Sequence, residues 1–485
     1  MKSIKLNFLY NIILNLSRIA FPLITAPYVA RVLEPDGVGL ANFANSYASY
    51  FALFAALGTQ FYGSREVSKI RDDIEQKKQF VSQIFSLLIC TSLFFSVVYV
   101  FSLLWVQQLN KNMMVFLVAG IVLFSTPFKI DWFFAGLEEF GFITLRSMII
   151  KVLGVAFLFI FVHEKSDLLI YVFLTALAVV LNELWNFFKL MKMGVRLKFT
   201  IHFSRHVKPL LILFSSAVAI SVYTILDTLM LGFMREYSEV AYYNSSSHIA
   251  RSFLAVTTSL SAVAIPRMSY YVKNGKWSDI NDLMKKSMSI IGFLSFPIAI
   301  GTVAIAPDFV PLFFGSKFYG AIIPLQIMIF VVVVIGLNNL TGSQILIGLG
   351  LDKFLLISVS LGAVANFCLN VFFIPKYGAS GAAFTSVIAE ILILIMTSYF
   401  VIKKTSIRFG ASFKDLLFSA LSASIFLPVT LILKNYIEGW CLVFAVFFVA
   451  GAAYIALQYL LKNKSIIILL NVILDKIKKE KRTFS

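Results

Sequence analysis

Acidic residues, cysteine and histidine are scarce in this sequence, and their scarcity excludes several kinds of site. The chain has 24 Asp and Glu, 3 Cys and 4 His among 485 residues. Cys90, Cys368 and Cys441 lie far apart in apolar runs without a CxxC pair, which excludes a disulfide framework. His202 and His206 lie in a basic stretch that offers no further zinc ligands. The sequence also lacks a P-loop, HExxH and GxSxG, so we predict a protein that is not an enzyme and holds no metal or cofactor.

Charged residues make up only 14% of the chain, whereas hydrophobic residues make up 59% and the mean hydropathy is +0.88. A soluble chain of this length could not bury so much apolar surface, so lipid must cover the rest. Because a membrane-spanning helix needs about 20 apolar residues, the sequence predicts an all-α polytopic membrane protein with about fourteen spans. The predicted spans are residues 7–30, 38–62, 81–106, 113–136, 147–163, 167–188, 209–233, 238–263, 287–306, 320–347, 354–374, 381–402, 415–433 and 438–461.

Lysine and arginine collect in alternate connections between these spans. The even-numbered connections and the two ends hold 32 of the 42 Lys and Arg residues, whereas the odd-numbered connections hold seven. This count treats Lys151 as snorkelling to the cytoplasmic side. The positive-inside rule then places both termini in the cytoplasm, as in a multi-pass protein of a bacterial inner membrane. Loop and tail cations also account for the net charge of +18, so we predict no nucleic-acid partner.

An internal repeat divides the sequence into two lobes. Residues 136–144 (GLEEFGFIT) align without gaps on residues 350–358 (GLDKFLLIS), and Asn42 falls on Asn244 at a similar offset. Six spans separate the copies, so both halves share one orientation in the membrane. The predicted regions are an N-terminal lobe at 1–200, a C-terminal lobe at 201–405, two extra spans at 406–462 and a basic cytoplasmic tail at 463–485.

Three cations, Arg18, Lys129 and Arg251, fall inside predicted spans. Charges at such depth cost at least about 2.5 to 3.5 kcal/mol and usually face a cavity or an opposite charge. Helical spacing places Arg18 on one face with other polar residues of span 1, and it does the same for Arg251 in span 8. We predict that both faces line a cationic cavity; the open alternative is that both arginines are buried partners of carboxylates such as Asp227 or Glu390.

These patterns give a set of candidate site residues. Pro22 and Pro27 each remove a backbone hydrogen bond from span 1 and favour a bend that could act as a gate. Lys129 and Asp131 lie near a cytoplasmic span end, where structural anchoring is the favoured interpretation. The candidate cavity residues are Arg18, Arg251, Asn15, Thr25, Asn42, Asn244, His248 and Lys129; the charge partners are Asp227, Glu390 and Asp131; the gate residues are Pro22 and Pro27.

Short glycine and proline motifs recur near the span ends. They are residues 22–33 (PLITAPYVARVL), 37–39 (GVG), 62–65 (YGSR), 339–346 (NLTGSQIL) and 374–383 (IPKYGASGAA). Together these motifs, which extend over most of residues 7–405, resemble those of the polysaccharide-exporting flippases (Wzx-type) of the MOP superfamily. Glu34 departs from the resemblance, because such proteins often have glycine in the turn after span 1. That departure affects the expected geometry of this turn.

The resemblance implies a V-shaped pair of six-helix lobes with two added helices. Such proteins carry undecaprenyl-diphosphate-linked oligosaccharide units of O-antigen, capsule or exopolysaccharide from the cytoplasmic to the periplasmic leaflet. Arg18 and Arg251 would then clamp the diphosphate while the lobes alternate access. The resemblance also implies association with a polysaccharide polymerase and export components, and it leaves coupling to H⁺ or Na⁺ open.

Two related functions remain as alternatives. They are a cation or drug antiporter of the same superfamily and a flippase for a peptidoglycan precursor. The mid-membrane arginines disfavour the antiporter, which would hold a cation against Asp227 and Glu390. A membrane glycosyltransferase or polymerase is disfavoured because the sequence lacks a large periplasmic loop and a cluster of loop carboxylates.

Overall fold

The computed structural model describes most of the chain and shows it to be helical. The described residues are 4–195, 197–200, 202, 204–405, 407, 410–461 and 463; the side chains of 4–5, 212–213, 215–224, 256, 258–263, 273 and 410–412 are not described. The predicted basic tail from residue 464 onward lies outside these residues. Within them the regular structure is helical, without a β-strand.

Contacts group Met1–Ala241 into one compact unit, which we name unit 1. Its helix α9 packs against α1 and α2, although the predicted C-terminal lobe begins at residue 201. The predicted lobe boundary therefore stays a prediction. The helices are α1 (Ile4–Ala56), α2 (Thr59–Lys69), α3 (Ile74–Trp105), α4 (Gln107–Asn110), α5 (Met113–Ser125), α6 (Asp131–Gly136), α7 (Phe140–Phe161), α8 (Leu168–Lys192), α9 (Ser204–Met234) and the start of α10 (Tyr237–Ser252).

The second compact unit, unit 2, comprises Tyr242–Ser485. Its central helix α12 packs against α11, α14, α16, α17 and α18, so the two extra predicted spans lie on the core of this unit. A π-helix at Asn339–Ile347 follows α14 directly. The helices are α11 (Leu254–Lys273), α12 (Trp277–Phe314), α13 (Ile322–Met328), α14 (Val331–Asn338), α15 (Asp352–Lys404), α16 (Gly410–Ala423), α17 (Phe426–Leu433) and α18 (Gly439–Leu460).

Ten helical stretches in the described residues are long and apolar enough to cross a membrane. Two of them, Leu6–Lys69 and Asp352–Lys404, each cover two predicted spans. Predicted spans 7 and 8 are not among the ten, although Ile225–Met234 is a shorter apolar helix. The chain is therefore an all-α, multi-pass membrane protein, and the predicted count of fourteen is approximate.

Helices α1 and α15 are each 53 residues long, and each contains one residue with non-helical backbone angles. A straight helix of that length would extend about 80 Å, whereas the hydrocarbon core is about 30 Å thick. The kink residues are Glu34 (φ 57°, ψ 175°) and Gly378 (φ 54°, ψ −132°). Beyond Gly378 the chain folds back on itself. As a result, the rings of Phe373 and Phe384, which lie on either side of the kink, are 5.4 Å apart.

The first half of α1 runs parallel to α7. Thr144 Oγ1 donates to the Tyr10 carbonyl oxygen, Lys151 Nζ donates to Ser17 Oγ, and Tyr28 Oη donates to the Val162 carbonyl oxygen, and each partner lies 134 positions away. The second half of α1 runs antiparallel to α3. Tyr47 there bonds to Ser102, and the Ala55 carbonyl accepts from Thr91. These neighbours fix the level at which each polar residue of α1 lies.

Candidate functional site

The predicted polar face of α1 carries Arg18 without an acidic partner. Arg18 and Asn15 are exposed, and Arg18 Nη1 donates weakly to Asn15 Oδ1 at 3.5 Å. Thr25 is half-buried and donates to the Phe21 carbonyl oxygen at 3.2 Å. Among the described residues Arg18 forms no ion pair, so the alternative in which it pairs with a buried carboxylate is not supported.

Lys151 of α7 is a second cation at the level of Arg18. Its Nζ donates to Ser17 Oγ at 2.7 Å and lies 5.7 Å from the centre of the Phe21 ring. Ser17, which accepts this hydrogen bond, immediately precedes Arg18 on α1, so the two cations lie at the same level on neighbouring helices. The amine of Lys151 therefore lies level with Ser17 and Phe21 of α1, and the prediction that it snorkels to the cytoplasmic side stays a prediction. The sequence signal was its place inside an apolar run, which also singled out Arg18.

The second predicted face lies on α10 and carries Asn244, His248 and Arg251. Arg251 is half-buried, and its Nε donates to Ser247 Oγ at 3.0 Å. Because α10 ends at Ser252 and α11 starts at Leu254, Arg251 lies at a helix end and not at the middle of a continuous span. Asn244 is half-buried and His248 is exposed. No acidic group pairs with Arg251 in the part of the chain that the structure describes.

Asp131 is half-buried and is held in a polar network that involves three helices. Arg146 Nη2 lies 2.8 Å from Asp131 Oδ1, and Asn186 Nδ2 donates to the same oxygen at 3.0 Å. Arg146 Nε also donates to Asn182 Oδ1 at 3.1 Å, and its side chain is only 3% exposed. Arg146 lies one position before the predicted start of span 5, whereas the structure places it in α7. Asp131 is thus a partner of Arg146, while Lys129 nearby is exposed.

Glu390 of α15 is buried without a cationic partner among the described residues. Its side chain is 4% exposed, and Asn338 Nδ2 donates to its Oε2 at 2.5 Å and to its backbone carbonyl at 3.1 Å. Asn338 ends α14 immediately before the π-helix, and π-helical turns occur frequently at functional sites. The sequence motif at residues 339–346 therefore has an unusual backbone next to a buried carboxyl group.

The remaining candidates lie at separate places in the two units. Asp227 is buried on α9, and Asn42 is half-buried on α1. Pro22 and Pro27 lie inside α1, and the non-helical residue of that helix is Glu34, seven positions after Pro27. The helix continues through both prolines, so their role as a gate stays a prediction.

A comparison of the sequence with protein families shows to which family the chain belongs. Residues 4–272, more than half of the chain, match the family of polysaccharide biosynthesis proteins. The chain belongs to this polysaccharide biosynthesis family. The resemblance drawn from the motifs is thereby confirmed at the level of the family.

Two curated relatives and one solved structure resemble the chain along most of its length. Two curated relatives named "Putative O-antigen transporter" come from Escherichia coli K12 and Shigella dysenteriae. The first is 25% identical and covers 82% of this chain and 97% of its own, and the second is 21% identical with 81% and 98% covered. A solved structure titled "Lipid II flippase MurJ, inward closed conformation" has a TM-score of 0.75 at 16% identity, with 94% and 98% covered. The structural likeness establishes the fold.

Proposed function

We propose that this protein is a flippase for undecaprenyl-diphosphate-linked oligosaccharide repeat units. It moves them from the cytoplasmic to the periplasmic leaflet of the inner membrane by alternating access. The observation that carries the proposal is the pair of cations Arg18 and Lys151 on neighbouring helices, whose partners are neutral. Membership of the polysaccharide biosynthesis family and the names of the two relatives support the same class of cargo.

The chemistry of the cargo fits these cations. A diphosphate needs positive charge and hydrogen-bond donors, and a guanidinium can offer two donors side by side. The hydrogen-bond partners of the three cations are neutral: an amide for Arg18 and a hydroxyl group for Lys151 and Arg251. No carboxylate in the described residues neutralises these cations. Sugar hydroxyls need a wet path, since each unpaired hydroxyl moved into hydrocarbon costs about 4 to 8 kcal/mol.

The membrane potential supplies a driving force in the required direction. Moving one negative charge outward across an inside-negative membrane is favoured by about 2.3 kcal/mol per 100 mV. The charge layout of the sequence places the basic connections on the cytoplasmic side, so the anionic headgroup is attracted there first. Coupling to H⁺ or Na⁺ is not required by this scheme.

Deletion of the gene in its native host tests the proposed function. We expect surface polysaccharide to be lost and complete lipid-linked units to be trapped on the cytoplasmic face of spheroplasts, where an impermeant lectin or glycosidase cannot reach them. Intact surface glycan with raised sensitivity to cationic dyes would instead indicate the drug antiporter. Cell lysis with trapped peptidoglycan precursor would indicate the other flippase.

Single substitutions then test the diphosphate clamp. Arg18→Ala, Lys151→Met and Arg251→Ala should each reduce export of the lipid-linked unit at unchanged protein level. Lys353→Gln, which removes an exposed charge near the start of α15, serves as the control and should export normally. Full export by both arginine variants would disprove the clamp.

A further inference from the structure

Unit 1 contains an open polar cavity of about 450 Å³ away from the cations of α1. Its walls come from α2 and the residue that follows it, the start of α3 and the start of α9. These segments belong to the second and sixth predicted connections, which the charge pattern places in the cytoplasm. The lining residues are Tyr62, Glu66, Ile70, Gln76, Gln79, Phe80, Arg205 and His206.

Arg205 is fixed at this cavity by neutral groups. Its Nη2 donates to Gln83 Oε1 at 2.6 Å, and its Nε donates to His206 Nε2 at 3.2 Å. No carboxylate lies within ion-pair distance of Arg205 among the residues that the structure describes. Because a guanidinium has five N–H groups, three of them remain for a bound molecule. Its positive charge is thus oriented but not neutralised.

The groups that orient Arg205 are themselves buried. His206 and Gln83 are each 4% exposed, and His206 Nδ1 lies 2.7 Å from Tyr62 Oη. Burial, together with the charge of Arg205, lowers the pKa of His206 to about 4. The imidazole is therefore neutral at cytoplasmic pH, and its Nε2 lies 3.2 Å from Arg205 Nε and 2.9 Å from Gln83 Oε1. The Phe80 ring, 5.3 Å from the His206 ring, holds the imidazole from one side.

The one carboxylate in the wall is already neutralised. Glu66 Oε1 lies 3.1 Å from Arg65 Nε and 2.9 Å from Lys69 Nζ. Two cations therefore offset one anion at this edge of the cavity, and Arg205 adds a third positive charge. Gln76 and Gln79 contribute amide groups that suit sugar hydroxyls or phosphate oxygens. The cavity combines positive charge with neutral hydrogen-bonding groups.

We propose that this cavity binds a diphosphate ester, and that its natural occupant is the diphosphate of the lipid-linked sugar before it reaches Arg18 and Lys151. Arg205 supplies the oriented cationic donor, and the cavity is large enough for a diphosphate with an attached sugar. The assignment of the lipid-linked sugar rests on the proposed function. The binding of a diphosphate does not, and it can be measured separately.

Titration of inorganic pyrophosphate into the purified full-length protein in nanodiscs, followed by calorimetry, tests the site. Arg205→Gln should weaken binding by roughly tenfold to a hundredfold, because it removes charge-assisted hydrogen bonds. Lys208→Gln removes a neighbouring exposed charge on the same helix and should change the affinity by less than about twofold. His206→Gln should also weaken binding while leaving the Arg205 charge in place. Unchanged affinity in Arg205→Gln, with a normal melting temperature, would overturn the proposal.

A competition experiment separates the two sources of a diphosphate. Undecaprenyl diphosphate in the nanodisc should displace pyrophosphate from the wild-type protein and fail to do so in Arg205→Gln. If a soluble nucleoside diphosphate sugar displaced pyrophosphate and undecaprenyl diphosphate did not, the assignment of the lipid-linked occupant would be overturned. Trapped lipid-linked units in the deletion strain, together with no pyrophosphate binding in vitro, would reject this cavity and leave the proposed function standing.

Discussion

The two 53-residue helices α1 and α15 reach the same kind of kink with different residues. In α15 the kink residue is Gly378, which adopts a positive φ at little cost. In α1 it is Glu34 at φ 57° and ψ 175°, a region that is occupied almost only by glycine and costs about 1 to 3 kcal/mol for other residues. Lys165 forms an ion pair with the Glu34 carboxylate. Thus α1 has a strained backbone at Glu34, whose side chain pairs with Lys165, whereas α15 has an unstrained glycine at the equivalent kink.

A glycine that follows each kink permits close backbone approach. A Cβ at Gly39 would overlap the carbonyl oxygen of Tyr237 at the start of α10, and a Cβ at Gly381 would overlap that of Phe373 within α15. Gly39 thus packs against another helix, whereas Gly381 packs within its own hairpin. The sequence motifs at residues 37–39 and 374–383 contain these glycines.

The largest effect is expected from Gly39→Ala. Because the obstructing atoms belong to the backbone of Tyr237, they cannot rotate away, and overpacking of this kind costs about 3 kcal/mol. Thermal unfolding of the purified protein in detergent measures the loss. Gly154→Ala in α7, where a Cβ meets nothing within 4 Å, is the matched control and should not destabilise. Equal melting temperatures for both variants would contradict the close approach.

Gly378→Ala is expected to have the next largest effect. Alanine at φ 54° and ψ −132° is strained, so we expect the free energy of unfolding to fall by about 1 to 3 kcal/mol. The same melting experiment measures it. A neutral result would mean that the kink in α15 shifts to another residue.

Glu34→Gly should act in the opposite direction. Relief of the backbone strain outweighs the loss of an exposed ion pair, so the free energy of unfolding should rise by about 1 kcal/mol. Measuring Glu34→Gly and Gly378→Ala in the same melting experiment shows whether their changes in the free energy of unfolding have opposite signs. A lower melting temperature would show that the side chain of Glu34 contributes more than its backbone costs.

The smallest effect is expected from Lys165→Gln. Its side chain is 61% exposed, and surface ion pairs contribute about 0 to 1 kcal/mol. In the Glu34→Gly background the Lys165 substitution should have no further effect on melting. An additional loss in that double variant would show that Lys165 has a role apart from Glu34.

Much of the fold could be predicted because long apolar runs determine which segments are helices. The departure at Glu34 was visible as a residue that replaces an expected glycine, and the structure gives it the backbone angles of one. The prolines of α1 were less informative, since a transmembrane helix can pass through proline without losing its course. Kinks depend on backbone angles, which composition does not fix.

The candidate site was predicted less completely. Arg146 precedes the predicted start of span 5 and Lys151 lies about one turn inside it, yet both have partners in the helix bundle, Asp131 for Arg146 and Ser17 for Lys151. Likewise, Glu390 was predicted as a charge partner, but the side chain that binds it, Asn338, is neutral and lies 52 positions away. Such pairs arise from tertiary packing, and a helical period within one segment cannot show them.

The parallel pairing of α1 with α7 restricts how the length of either helix can vary. Three contacts between them share one separation of 134 positions. A single residue inserted or deleted in α7 between Thr144 and Lys151 would turn everything beyond it by about 100° around the helix axis and shift it by about 1.5 Å. All contacts beyond the change would be lost together, including the one that holds Lys151 beside Arg18. Length variation among natural relatives should therefore fall outside Tyr10–Tyr28 and Thr144–Val162.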